Sequence, residues 1–266
     1  MAAAITFLQS NNKGGTTGTS HTFSGENLGT ASADRIIFCA VSSENQSGTL
    51  TDVTSMTIAG VSATKVLTRI DTGNDDLASI WWANVTSGTS GDVVVNFDAT
   101  VSIVIGLFLA TGIGTTPTAH ATANDVDDAL SLNLNVPEQG ILLACGAFEN
   151  DGAITTVGVT ENYDVSMVAF GFDRGVGGCA GPIAAETPRT VSFDGAAGNA
   201  AGVAASFAAD GGGGGSLSVN LAGRGGLAGV GGLAGVGGGL VSTPRGLSLP
   251  HPSQIKIPER RIYAPR

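Results

Sequence analysis

Three histidines, three cysteines and two knots of acidic residues are the side chains in this 266-residue chain best equipped for catalysis or metal binding. A nucleophilic or hydrolytic centre needs an acid, a base and a nucleophile that converge on one point. His21, His120 and His251 lie far apart, in Thr/Ser, Ala/Thr and Pro surroundings, and read as surface or loop residues. Cys39 and Cys145 sit inside the apolar runs Ile36-Ile37-Phe38-Cys39-Ala40-Val41 and Ile141-Leu142-Leu143-Ala144-Cys145, where a cysteine behaves as a small buried hydrophobe. Together with Cys179 they are too few and too scattered for a disulfide framework or a zinc site. The knots Asn74-Asp75-Asp76 and Asn124-Asp125-Val126-Asp127-Asp128 offer oxygens of the kind that calcium gathers about six to eight at a time. Neither has the spacing of a calcium loop, so both read as solvated loop tips. The motifs G-x-S-x-G, H-E-x-x-H and the Walker loop do not occur. These residues predict a protein that is not an enzyme, with no catalytic residue, metal or cofactor.

Charge and composition divide the chain. Residues 1–210 hold six Lys/Arg against 21 acids, a net of about −15, and residues 211–266 hold six against one, about +5. The second segment opens on five glycines and then repeats Leu-Ala-Gly-x-Gly-Gly three times, over 221–226, 227–232 and 233–238. Glycine loses more backbone freedom on ordering than any other residue, roughly 1–2 kcal/mol each, with no side chain to offset it. The expected organisation is a body over 1–210, a glycine-rich arm over 211–243 and a basic, proline-containing anchor over 244–266. In a left-handed extended helix of three residues per turn, Leu221, Leu227 and Leu233 fall on one edge. Ile255 and Ile257 flank Lys256 between prolines and suit a short edge strand, with Arg260 and Arg261 to assist docking on an acidic surface.

The body is read as a packed globular unit, since charged residues are 13% of the chain and mean hydropathy is +0.25. An acidic body repels phosphates, which argues against nucleic-acid binding. Its longest apolar run, over 101–110, is too short to cross a membrane as a helix. The N-terminus lacks the basic and apolar regions of a signal peptide, so synthesis in the cytosol is expected. Short Val/Ile/Thr/Phe runs recur between Gly, Asn, Asp and Ser, the pattern of an antiparallel β-sandwich, here of jelly-roll type, with minimal helix. Strands are expected at 5–8, 21–24, 35–41, 55–58, 64–69, 78–84, 92–97, 103–110, 130–136, 141–148, 156–159, 167–174, 190–193 and 202–207. The run 103–109 carries no polar side chain and should be buried on both faces. Trp81 and Trp82 are adjacent on a strand and must face opposite sides, which makes Trp82 a candidate interface anchor.

One stretch of the body carries a resemblance. Thr57-Ile58-Ala59-Gly60-Val61-Ser62-Ala63-Thr64, then Trp81-Trp82-Ala83-Asn84-Val85, then Gly88-Thr89-Ser90-Gly91-Asp92-Val93-Val94-Val95, then Thr115-Thr116-Pro117, resembles a run in β-sandwich virion proteins of tailed bacteriophages and prophages. The resemblance covers about residues 35–207 and leaves out the arm. It implies a virion structural protein, a head decoration, fibre or tail accessory. Its partners would be other virion proteins and further copies of itself, for which a trimer follows naturally. An alternative of another class is a carbohydrate- or receptor-binding module of a tail fibre, using Trp82 or Tyr163 with Asp75 and Asp76.

Overall fold

The structure, a computed structural model, describes residues 2–13, 15–45, 49–125, 129–149, 152–167, 173–195 and 198–210. The arm and anchor, with Leu221, Leu227, Leu233, Ile255, Ile257, Arg260 and Arg261, lie outside them. The described chain is all-β and antiparallel, with no helix.

Strands β1 (Ala4–Asn12), β2 (Gly18–Asn27), β3 (Ile36–Glu44), β4 (Val53–Ile58), β5 (Val61–Ser62), β6 (Thr64–Ile70), β7 (Asp76–Asn84) and β8 (Ser90–Thr111) form one eight-stranded sheet. β8 organises it. The first part of β8 pairs with β2 on one side and β4 on the other, and the last part with β1 and β3. Side chains alternate between buried and open along the first part, whereas 101–108 are all buried. The sheet curls back as a nearly closed, barrel-like wall around a cluster drawn from both parts of β8: Val93, Val95 and Phe97 face Ile103, Ile105 and Leu107, with Phe23 and Trp81.

The second half contains β9 (Ala119–Asp125), β10 (Ala129–Val136), β11 (Gly140–Phe148), β12 (Thr155–Val157), β13 (Thr160–Met167), β14 (Asp173–Ile183), β15 (Glu186–Asp194) and β16 (Ala200–Phe207). They form a five-stranded sheet, β13-β14-β11-β16-β9, and a three-stranded sheet, β10-β15-β12. Leu130, Leu132 and Phe193 from the smaller sheet bury against Leu142, Val176 and Ala204 of the larger.

A third cluster joins the halves. Phe38, Ile80, Val104 and Phe108 of the first pack against Leu143, Cys145, Val203 and Phe207 of the second, with the Phe38 and Phe207 rings 4.9 Å apart. Apolar side chains therefore cover both faces of β3 and β11, and neither strand exposes a residue. Doubly covered strands read as unbroken apolar runs, which accounts for 103–109 as well, where Leu109 alone is only partly buried. The lone glycine of that run has a packing reason. A Cβ at Gly106 would lie 2.2 Å from the Tyr163 ring, and one at Gly177 2.5 Å from the Tyr163 hydroxyl.

The two halves follow one plan. In chain order β1, β2, β3, β4, β6 and β7 take the places of β9 to β14, and the two parts of β8 take those of β15 and β16. Every pairing carries over: β6-β7-β3-β8-β1 matches β13-β14-β11-β16-β9, and β2-β8-β4 matches β10-β15-β12. The register carries over too. Glu44 opposite Asp76 corresponds to Glu149 and Asp173, one step beyond the pair Phe148 and Arg174. A register shift falls between Lys65 and Leu67 on β6 and between Glu161 and Tyr163 on β13. Only β5 has no counterpart.

Several strand expectations need correction. The separate runs 92–97 and 103–110 are one continuous strand, because β8 serves two leaves of the curled sheet without breaking. The strand expected at 167–174 is instead the end of β13 and the start of β14. β9, rich in alanine, and β14, rich in glycine, were not anticipated, since neither offers the bulky residues that mark strands. The turn at 58–61 between β4 and β5 has Ala59 and Gly60 both at positive φ, 51° and 76°. Asp92 Oδ1 accepts from the Gly25 N–H at 2.9 Å, tying β8 to β2.

Candidate functional site

The residues singled out by type scatter through the fold. Trp81 is buried in the first half's own cluster and donates from Nε1 to Ser79 Oγ at 2.8 Å. Trp82 turns to the other face and is half-buried against the cluster that joins the halves. Tyr163, a candidate for sugar stacking, is 5% exposed between Phe7 and Phe108 and offers no platform. His21 is buried rather than at the surface: its Nε2 lies 3.1 Å from the carbonyls of both Gly18 and Val101, at a register shift between β2 and β8 that leaves those oxygens in need of a partner. Burial lowers its pKa. All three cysteines are buried, and burial pushes the Cys145 thiol up to about 12 and Cys179 to about 11. None is an activated nucleophile.

Of the knot at 74–76, Asn74 and Asp75 lie in a turn as expected, with Asn74 exposed, but Asp76 does not. Asp76 is the first residue of β7 and is fully buried, because β7 starts where the seam between the halves closes over it. Three buried carboxyl groups lie there, Glu44 at the end of β3, Asp76, and Asp173 at the start of β14, and the charge of the exposed Glu149, after β11, also reaches Asp76. The side chains of Glu44 and Asp173 share a hydrogen bond across the seam. Glu44, Asp76 and Asp173 are 6%, 0% and 2% exposed. Asp71 beneath them accepts from the N–H groups of Gly73, Asp75 and Asp76 at 2.7, 2.9 and 3.0 Å, which shapes the turn that presents Asp76. Neither oxygen of Asp76 has a hydrogen-bond partner, nor does Glu44 Oε2. Burial, then the hydrogen bond and charge of Asp173, raise the pKa of Glu44; burial, then the charge of Asp173, raise that of Asp76.

Beside this junction lies an open polar cleft of about 460 Å³, lined in part by Asp52, Lys65, Arg69, Asp71, Asn74 and Asn124. Lys65 pairs with Asp52, and Arg69 donates to Asn124 of β9, bridging the halves. The cleft offers fixed donors and acceptors and no histidine or cysteine, which suits hydrogen bonding to a polar ligand. Among the described residues no three His, Cys, Asp or Glu side chains converge as a metal site requires.

Sequence reasoning missed the junction, yet a signal for it exists. Aligned on the strands, Ile36-Ile37-Phe38-Cys39-Ala40-Val41-Ser42-Ser43-Glu44-Asn45 and Ile141-Leu142-Leu143-Ala144-Cys145-Gly146-Ala147-Phe148-Glu149-Asn150 begin on Ile and end on Glu-Asn. Asp76 and Asp173 then open the partner strands. It missed Arg35 as well. That side chain is fully buried at the start of β3 and donates to the carbonyls of Val85, Leu28, Gly29 and Ser87 at 2.5 to 3.0 Å. No family model matches the chain, and no curated protein or solved structure matches it.

Proposed function

We propose that the chain is a structural protein of a bacteriophage particle, a surface-displayed β-sandwich body tied to neighbouring subunits by its C-terminal arm. In this reading the two halves are sandwiches fused back to back, and assembly uses many copies, a trimer among the arrangements that the leucine edge of the arm suits. The observation that carries it is the division of charge, about −15 in residues 1–210 and about +5 in residues 211–266. Such complementarity steers docking and register even where each pair adds only about 0–1 kcal/mol. The resemblance over residues 35–207 points the same way. The buried polar side chains Arg35 and His21 bind backbone carbonyls, a structural use. The test is the abundance of the protein in purified, fractionated virions. Deleting residues 244–266 should leave a soluble, folded protein that fails to incorporate, and Ile255→Asp with Ile257→Asp should reproduce most of that loss. Normal incorporation of the truncated chain would overturn the anchoring role.

The polar cleft favours a second reading, a glycan- or receptor-binding module. It would rest on Lys65, Arg69 and Asn74 rather than on Tyr163 and Asp76, which are buried. Specific signals on a glycan array, lost in Arg69→Ala, would promote it.

A further inference from the structure

At the acidic junction Glu44 and Asp76 are buried with no cation beside them among the described residues. Neither Glu44 nor Asp76 enters an ion pair, and every charge acting on either comes from another acid: Asp75, Asp76 and Asp173 on Glu44, and Asp71, Asp75, Glu149 and Asp173 on Asp76. These groups come from each element packed there. β3 brings Glu44, the 71–75 turn brings Asp71 and Asp75, β7 brings Asp76, the end of β11 brings Glu149, and β14 brings Asp173, while β8 sets Ser102 opposite Glu44. Arg174 pairs with Asp164 at 2.6 Å, and Arg69 donates to Asn124. A hydrogen bond between two carboxyl groups requires that one of them carry a proton. A buried carboxylate with neither donor nor cation takes up a proton in the same way. A cation cage needs at least three such side chains on one point, and no such group occurs among the described residues.

We propose that Glu44, Asp76 and Asp173 are a proton-held latch between the two halves of the body, closed while they are protonated and loosened by their mutual repulsion when they ionise. Groups that hold protons more tightly in the folded chain stabilise it fully below their ordinary pKa and lose that contribution as pH rises through the folded value. The body is therefore most stable in mild acid, and it weakens as pH climbs above the ordinary carboxylate value of 4.5.

Thermal melts of the full chain from pH ~5 to ~9 test this, with Glu44→Gln and Asp76→Asn as neutral mimics of the protonated groups. The wild-type Tm should fall across that range by about 5 °C more than that of the double variant, which should be the more stable at the alkaline end. In the wild type at neutral pH, infrared spectra should show the carbonyl stretch of protonated carboxyl groups, a readout that holds even if the variants do not fold. A Tm that is flat or rises with pH overturns the latch, as does absence of that band. A Tm raised by millimolar calcium chloride in the wild type but not in Asp76→Asn also overturns it, in favour of a cation site.

Discussion

In the first half of the body the central strand β8 runs unbroken for 22 residues, whereas its counterpart in the second half is split into β15 and β16. Bulk is distributed differently as well. Where β7 carries Ala78, Ile80 and Trp81, β14 carries Gly175, Gly177 and Gly178, and where β6 carries Leu67, β13 carries Tyr163. The large ring of Tyr163 fills the space that glycine leaves at 177, so Leu67 with Ile80 has been exchanged for Tyr163 with Gly177. The pairing of strands is shared, as are the Glu44–Asp76 corner and the bulge on β6 and β13; side-chain volume is not. The comparison teaches that this fold is specified by backbone pairing and by which faces are dry, while volume can move between neighbours as long as the total is kept.

The largest effects should come from the doubly covered strands at the centre of each half. Ile105→Asp and Leu143→Asp each place an unpaired charge in a site with no exposed surface, at a cost of more than ~4 kcal/mol. Each should unfold both halves together, because one cluster joins them. Circular dichroism should show loss of the whole β signal, and survival of half of it would mean that the halves fold separately.

Next come features of one half only. Arg35 stands where the second half has Gly140, so its brace is private to the first. Arg35→Met leaves four buried or part-buried carbonyls without their donor and should destabilise by about 3 kcal/mol in denaturant melts. Gly106→Ala should cost about 1–3 kcal/mol through its clash with the Tyr163 ring. Adding Tyr163→Leu should recover part of that loss, and an additive double-mutant cycle would refute the proposed exchange of volume. The smallest effect is a gain. Ala59 takes a positive φ in the β4–β5 turn, so Ala59→Gly should stabilise by about 0.5–1 kcal/mol, read as a small rise in Tm.

Much of the architecture was legible because it rests on periodicity. β10 reads apolar-polar in strict alternation and is buried and exposed in strict alternation, and β11 and the first six residues of β3 read as apolar and are covered throughout. The strands that escaped notice are those whose packing partner supplies the bulk: β14 is recognisable only once Tyr163 is known to lie against Gly177. The acidic junction was hidden for a similar reason. Asp76 beside Asn74 and Asp75 looks like a solvated turn, and only the pairing of β7 with β3, together with the second half closing over both, removes it from water. Arg35 gave no sign because its partners are carbonyls from two loop segments, which carry no residue signature. Trp82 was placed on the correct face relative to Trp81, but sequence could not tell that this face lies against the other half.

In each half, the first strand waits for the last. Among the described residues β1 pairs only with residues 104–111 of β8, and β9 only with residues 200–206 of β16. A chain leaving the ribosome must therefore extrude about a hundred residues before its N-terminal strand has anywhere to go, and contacts of such long sequence separation make folding slow, on the order of milliseconds to seconds. The order of synthesis eases this difficulty. The first half is complete at Thr111, so it can curl shut while the second is still being made, and its seam-facing sheet then stands ready as a template on which β11, β14 and β16 settle.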